Sequence, residues 1–338
     1  MNKKKLMILG LSLLCLTANS QNKWFHDVKL SGYGMVQYQA QDKKDAETNT
    51  FGLRLVRVAL DGRSHDNFYW KVQMQINGNT QEKMAIRLVD LFGEWQKFDF
   101  FKVKVGQFKR PFTFENPMHP ITQGFMSYSQ NVTKLAGFSD RTGEQPSNGR
   151  DIGIQVQGDF LKVNGRNILH YQVGVFNGEG INTKDNDNRK DIIGGIWVAP
   201  IDGLRIGAFG WTGSRAGIGE KNRYAISAEY SKDDWTARSE YIHSQGYGAD
   251  LSKGDKADGI YALCIAPIIK NKFHVKARYD LYRDQKCWST SKTFYEIGAD
   301  YLFTKNLQLN LEYARVNERT EKGEYNYNLV DLELNIRF

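Results

Sequence analysis

Between Lys104 and Asp151 the chain gathers the side chains best suited to act on another molecule. Lys109, Arg110, Lys134, Arg141 and Arg150 are interleaved with Phe112, Phe114, Phe125, Tyr128 and Phe138. Cations and rings mixed in this way suit electrostatic guidance of anions, with the aromatic side chains anchoring the segment to a wall and the basic ones facing passing solutes. Bond-making chemistry has no such footing. The histidines, His26, His65, His119, His170, His243 and His274, show no HExxH-type spacing, and no serine stands in a G-x-S-x-G turn. His170 and His274 fall on polar strand faces, where a hydrated imidazole is the simpler assignment. A hydrolase assembled across loops leaves no local signature, so that class stays open.

The stretch 110–150 joins two strands through roughly 40 residues without regular periodicity, far beyond an ordinary connection. In a closed barrel such a segment can fold into the lumen and narrow it, and it is expected to do so here. Lys71, Lys102, Lys104, Lys276 and Arg278 point inward by strand parity and join the loop cations as expected anion-guiding residues. Arg205 and Arg238 share that parity, but so do Asp151, Asp159, Glu240, Asp280, Glu296, Asp300, Glu312 and Glu333, so no continuous basic ladder stands out. Pro111 ends its strand by removing a ladder donor, and Glu115 is the expected tether to a basic wall residue. For any single loop cation, exposure to external solvent is the plain alternative.

The elements that would hold these residues alternate with a period of two. Phe68, Trp70, Val72, Met74 and Ile76 interleave with Tyr69, Lys71, Gln73, Gln75 and Asn77, and Phe273 to Tyr282 repeats the pattern. A soluble sandwich alternates too. Segments of roughly 9 to 13 residues instead match the length a tilted strand needs to cross a hydrocarbon core. Sixteen such segments, from 28–40 to 326–338, form an all-β, transmembrane antiparallel barrel. Short connections such as Lys232 and Asp233 alternate with long polar ones such as 177–190, the asymmetry of periplasmic turns and external loops. The long segment is then the third external loop, and both termini lie in the periplasm. The last strand stops at Phe338, in register with Val330, Leu332, Leu334 and Ile336, resembling the terminal signal that barrel-assembly machinery reads; an ordinary closing strand reads the same way.

Lys3, Lys4 and Lys5 before an apolar run from Leu6 to Leu16 read as a signal peptide over 1–20, leaving 21–338 as the barrel domain. The run is too short to span a bilayer as a helix. Cys15 follows Leu14 rather than a small residue, which argues against a lipid anchor. Removing the three lysines lowers the formal charge from +8 to +5, a mild basic excess. Cys264 and Cys287 should stay free, being placed too far apart along neighbouring strands for a disulfide.

Val105, Gly106, Gln107, Phe108, Lys109, Arg110, Pro111, Phe112 and the later Glu115 resemble the Gly-Gln-Phe-Lys-x-Pro-Phe segment of the phosphate-selective porin O and P family. Supporting pieces are the early segment from Ser31 to Gln39, the second strand with Arg54 and Arg57, and Asn148 to Asp151. The resemblance implies a trimeric porin of sixteen strands whose third loop folds inward. The expected function is passive diffusion of small hydrophilic solutes, with an anion or phosphate preference. The expected partners are those solutes, outer-membrane lipid, the assembly machinery through Phe338 and two further copies of the chain. No cofactor, metal or nucleic acid is expected. The competing class is a plugged barrel that serves as a binding or assembly partner, followed by the barrel hydrolase.

Overall fold

The computed structural model describes residues 25–77, 86–139, 147–185, 187–215, 219–246 and 255–338. The expected signal segment 1–20 and Arg141 lie outside the described residues.

The alternating segments become sixteen strands closed into one antiparallel barrel. The first eight are β1 (His26–Gln41), β2 (Thr48–Ser64), β3 (Phe68–Gln75), β4 (Arg87–Phe98), β5 (Phe101–Lys109), β6 (Arg150–Val163), β7 (Arg166–Phe176) and β8 (Asp191–Val198). The rest are β9 (Leu204–Arg215), β10 (Gly219–Lys232), β11 (Trp235–Gln245), β12 (Lys256–Ile269), β13 (Phe273–Asp284), β14 (Ser291–Thr304), β15 (Leu307–Thr320) and β16 (Gly323–Arg337). Each strand pairs with its sequence neighbours, and β1 closes against β16 in the register Tyr33 to Arg337. Closure leaves no unpaired edge for lipid to solvate. At the seam Gly32 and Phe338 exchange backbone hydrogen bonds of 2.9 and 3.0 Å. A side chain at Gly32 would lie 2.3 Å from the Phe338 ring and 2.9 Å from the Arg57 carbonyl, so any larger residue there must displace the terminal ring.

The faces are inverted relative to a soluble protein. On β10, Tyr224 and Ile226 are 50% and 57% exposed, while Arg223, Ala225 and Ser227, which alternate with them, are buried. Ile297 and Leu311 continue the exposed apolar row, and Glu296 and Glu312 the buried polar one. Such an apolar exterior needs lipid rather than water around it. Near the short turns, Phe98 and Phe100 stack at 5.3 Å, and Phe160 meets Phe100 at 6.3 Å and Tyr171 at 5.6 Å. These rings form an interfacial aromatic belt. Asp233 and Asp234, at φ of 53° and 65°, make the tight turn between β10 and β11. Cys264 and Cys287 are both free, as their placement predicts.

The segment between β5 and β6 departs from the expectation in one respect. It contains a short helix, α1 (Gln130–Leu135), although no periodicity announces it. Six residues are too few for a helical pattern to register. The Ser129 side chain caps its start by accepting from the Val132 N–H, and Asp280 on β13 accepts the Gln130 N–H at 2.8 Å.

Candidate functional site

The aromatic residues of the segment anchor it, as expected from their number. Phe112, Phe114 and Phe125 are almost fully buried. Phe112 meets Trp211 edge-on at 5.5 Å, and Phe114 meets Trp197 and Phe209 at 5.7 and 5.4 Å. Edge-to-face pairs of this kind add to the area they bury.

Polar clamps complete the docking. Glu240 Oε1 on β11 accepts the N–H groups of Phe114 and Glu115 at 2.7 and 2.9 Å. Glu312 on β15 accepts the Met126 N–H at 2.9 Å. Cations on the same side donate to the segment's carbonyls: Arg223 to Leu135 O at 2.8 Å, Lys276 to Gly124 O at 2.9 Å and Arg278 to Ser127 O at 2.8 Å. Arg238 donates to Gln123 O and bonds the Tyr261 hydroxyl at 2.7 Å. Acceptors meet N–H groups and donors meet carbonyls, so an irregular backbone is satisfied without a ladder of its own.

Glu115 is buried, 3.9 Å from Arg238, and its closer contacts go to the Ser129 backbone and hydroxyl. The principal carboxylate between wall and segment at this point is therefore Glu240, which belongs to the wall. Parity places Glu240 on the inner row but cannot show which backbone it meets.

The expected guiding residues divide into groups. Arg110 is buried in an ion pair with Asp151 at 2.8 Å and lies over the Trp211 ring. Lys276 pairs with Glu312, and Arg278 pairs with Glu296 through Nε and Nη2. Lys102 pairs with Asp159 at 3.1 Å, beside His170. Lys134 is exposed and lines a cavity of about 310 Å³ shared with Arg278, Asp280, Glu296, Glu312 and Asp331. The remaining four, Lys71, Lys104, Lys109 and Arg150, come together on the opposite side, on β3, β5 and β6.

There they meet two arginines that sequence reasoning did not single out as guiding residues, Arg54 and Arg57 on β2. A cavity of about 590 Å³ is lined by Arg54, Arg57, Lys109 and Arg150, and among the described residues its lining contains no carboxylate. A second of about 260 Å³ shares Arg57, Lys109 and Arg150 with it, adds Lys71 and Lys104, and has Asp90 as its acid. A third of about 370 Å³ shares Tyr33, Lys71 and His119 with the second and reaches Arg337 and Phe338. The three continue one another along β1 to β6. Strand parity could have found Arg57, which shares a strand face with Ala59 and Asp61. Arg54 escapes that rule because the pairing of β1 with β2 shifts between Met35 and Val36, opposite it.

His119, in the segment, closes the path from the other side and meets the Tyr33 ring at 4.6 Å. Desolvation among packed side chains, aided by Lys109, Lys71, Arg57 and Arg337, pushes its imidazole down to about 4.

A profile of the Gram-negative porin family matches residues 8–321. No curated protein matches the chain. Among solved structures, OmpF of Salmonella typhi in complex with daunomycin is similar at a TM-score of 0.70 and 11% identity, covering 94% of this chain and 99% of that one. The outer membrane channel DcaP of Acinetobacter baumannii gives 0.65 and 12%, covering 92% and 97%. OmpT of Vibrio cholerae, in its trimer form, gives 0.60 and 14%, covering 92% and 99%. With the family matched over nearly its whole length and the strands closed as described, the chain belongs to the Gram-negative porin family, a channel-forming barrel of the outer membrane.

Proposed function

We propose that this porin is an anion-preferring pore for small hydrophilic solutes, narrowed by the inward-folded 110–150 segment. The observation that carries the reading is the distribution of charge. The path along β1 to β6 is lined by Arg54, Arg57, Lys71, Lys104, Lys109 and Arg150, against Asp90 and Asp61 in the lining and Glu333 and Glu94 paired with Arg54 and Lys104. The inward pose is supported by the bonds from the segment to the buried polar rows of β11, β13 and β15. Phosphate is the first anion to test, because the 105–115 stretch resembles the phosphate-selective porins. Cleavage after residue 20, insertion through the terminal Phe338 and assembly as a homotrimer in lipid complete the proposal; the trimer form of the OmpT relative supports the last.

The test is the reversal potential of the purified protein in a planar bilayer under a chloride gradient. An ion about 5 Å from one unit charge in water feels about 0.8 kcal/mol, screened to roughly 0.5 at 0.1 M salt. The effect has opposite sign for anion and cation, so each neutralised charge lowers their permeability ratio by about fivefold. Arg57→Gln with Lys109→Met should therefore shift the reversal potential strongly toward the cation side. Conductance without anion preference in the wild type refutes the selectivity, and a closed channel refutes the pore.

A further inference from the structure

We propose that the cavity of about 590 Å³ is a binding site for an organic anion with an apolar body, an aromatic monocarboxylate being the simplest fit. The inference rests on the barrel being an anion-preferring pore and deepens it by naming a class of solute. Two properties of the lining carry it.

The first is an uncompensated guanidinium. Arg57 is 2% exposed, yet its bonds go to neutral groups, from Nε and Nη2 to Gln75 Oε1 at 3.1 and 3.0 Å and from Nη1 to the Tyr33 hydroxyl at 3.1 Å. Of its five N–H groups two, one each on Nη1 and Nη2, have no partner among the described residues. The neighbouring arginines differ. Arg150 holds Asp90 at 2.6 Å, and Arg54 holds Glu333 at 3.2 Å. Lys109 also lacks a carboxylate partner among the described residues; its ammonium bonds Asn116 O, Met118 O and the Tyr128 hydroxyl. Two buried positive charges with neutral partners favour an anion from solution, and a carboxylate placed on Arg57 gains charge-assisted hydrogen bonds.

The second is the apolar remainder. Leu55, Pro120, Met126, Tyr128 and Phe138 share the cavity with these cations. Tyr128 and Phe138 pack at 4.5 Å, and Lys109 lies over both rings. A volume within the range of small-molecule pockets, roughly 300–1,000 Å³, accommodates a ring as well as a headgroup. Inorganic phosphate or acetate would satisfy the arginine and leave this surface wet. Benzoate would cover it.

The experiment is current block in single channels of purified protein, comparing benzoate, acetate and inorganic phosphate at equal concentration. Benzoate should block at a concentration at least tenfold below acetate and phosphate. Arg57→Gln should weaken the benzoate block at least tenfold. Met126→Ser, which keeps every charge, should weaken benzoate several-fold and leave phosphate unchanged. Equal block by phosphate and benzoate, or a Met126→Ser channel that still prefers benzoate to the full extent, overturns the proposal while leaving anion preference intact. Absence of anion preference in the same recordings instead refutes the reading on which it rests.

Discussion

Replacing Glu240 with alanine removes the acceptor that holds the beginning of the 110–150 segment. Its Oε1 takes two backbone N–H groups at 2.7 and 2.9 Å, and the residue is fully buried. Hydrogen bonds to a charged group contribute roughly 1.5–3 kcal/mol each, so the two supply about 3–6 kcal/mol of docking. An offset comes from Glu115, a second carboxylate beside the same Arg238, whose repulsion by Glu240 disappears; at high effective permittivity this returns about 1–2 kcal/mol. The net loss of about 1–5 kcal/mol raises the undocked fraction of this end by roughly 5- to 4,000-fold. Single-channel recordings should show increased open-channel noise and a larger mean conductance as the segment withdraws. The barrel itself should stay folded, since no ladder bond is touched. Glu240→Gln, which keeps an acceptor oxygen, should lie near the wild type. An alanine variant with wild-type noise and conductance would refute the clamp, and a glutamine variant as disturbed as alanine would show that charge, not the acceptor, sets the position.

Two further outcomes follow from other residues. With its imidazole near 4, His119 is neutral from pH 8 to 5 and gains charge only as the pH falls through about 4, so the wild type and His119→Gln should share one reversal potential above pH 5 and diverge below it, the wild type becoming more anion-selective; divergence already at pH 6 contradicts the assignment. Gly106 adopts φ of 132°, and a Cβ there would lie 2.2 Å from the Leu91 carbonyl of β4, so Gly106→Ala should lower the urea midpoint by an amount equivalent to about 2 kcal/mol or more; an unchanged midpoint would show that the ladder absorbs the methyl group.

The architecture was legible because lipid imposes a rule visible one residue at a time. Tyr224 and Ile226 must face hydrocarbon, and Arg223 and Ser227 must not, so alternation alone locates β10 and, repeated, the whole barrel. Gly106, within the stretch that carried the family resemblance, is fixed by backbone crowding rather than by any role with solutes. The site was less legible. Parity assigns Arg278 to the interior and composition places Arg110 among the loop cations, and there both stop; that Glu296 and Asp151 neutralise them depends on neighbours distant in sequence. Arg54 was hidden by a register shift, and α1 by its length.

The two walls end up unlike because an irregular segment must satisfy its backbone. Its N–H groups need acceptors and its carbonyls need donors. On β10 to β15 both are present, so Glu240, Asp280 and Glu312 are engaged by N–H groups while Arg223, Arg238, Lys276 and Arg278 are engaged by carbonyls. Charges of either sign on that side are thereby bound to the segment. Along β1 to β6 the segment takes Lys109 through the Asn116 and Met118 carbonyls, but cations outnumber carboxylates in the cavity linings there and, among the described residues, Arg57 meets only neutral partners. On the proposed anion-preferring reading, selectivity would follow less from the modest net charge than from which charges the segment engages. Releasing the segment should expose the mixed charges of β10 to β15 and weaken anion preference as conductance rises. The Glu240→Ala channel therefore reads both properties at once, and a rise in conductance with undiminished selectivity would break the link between them.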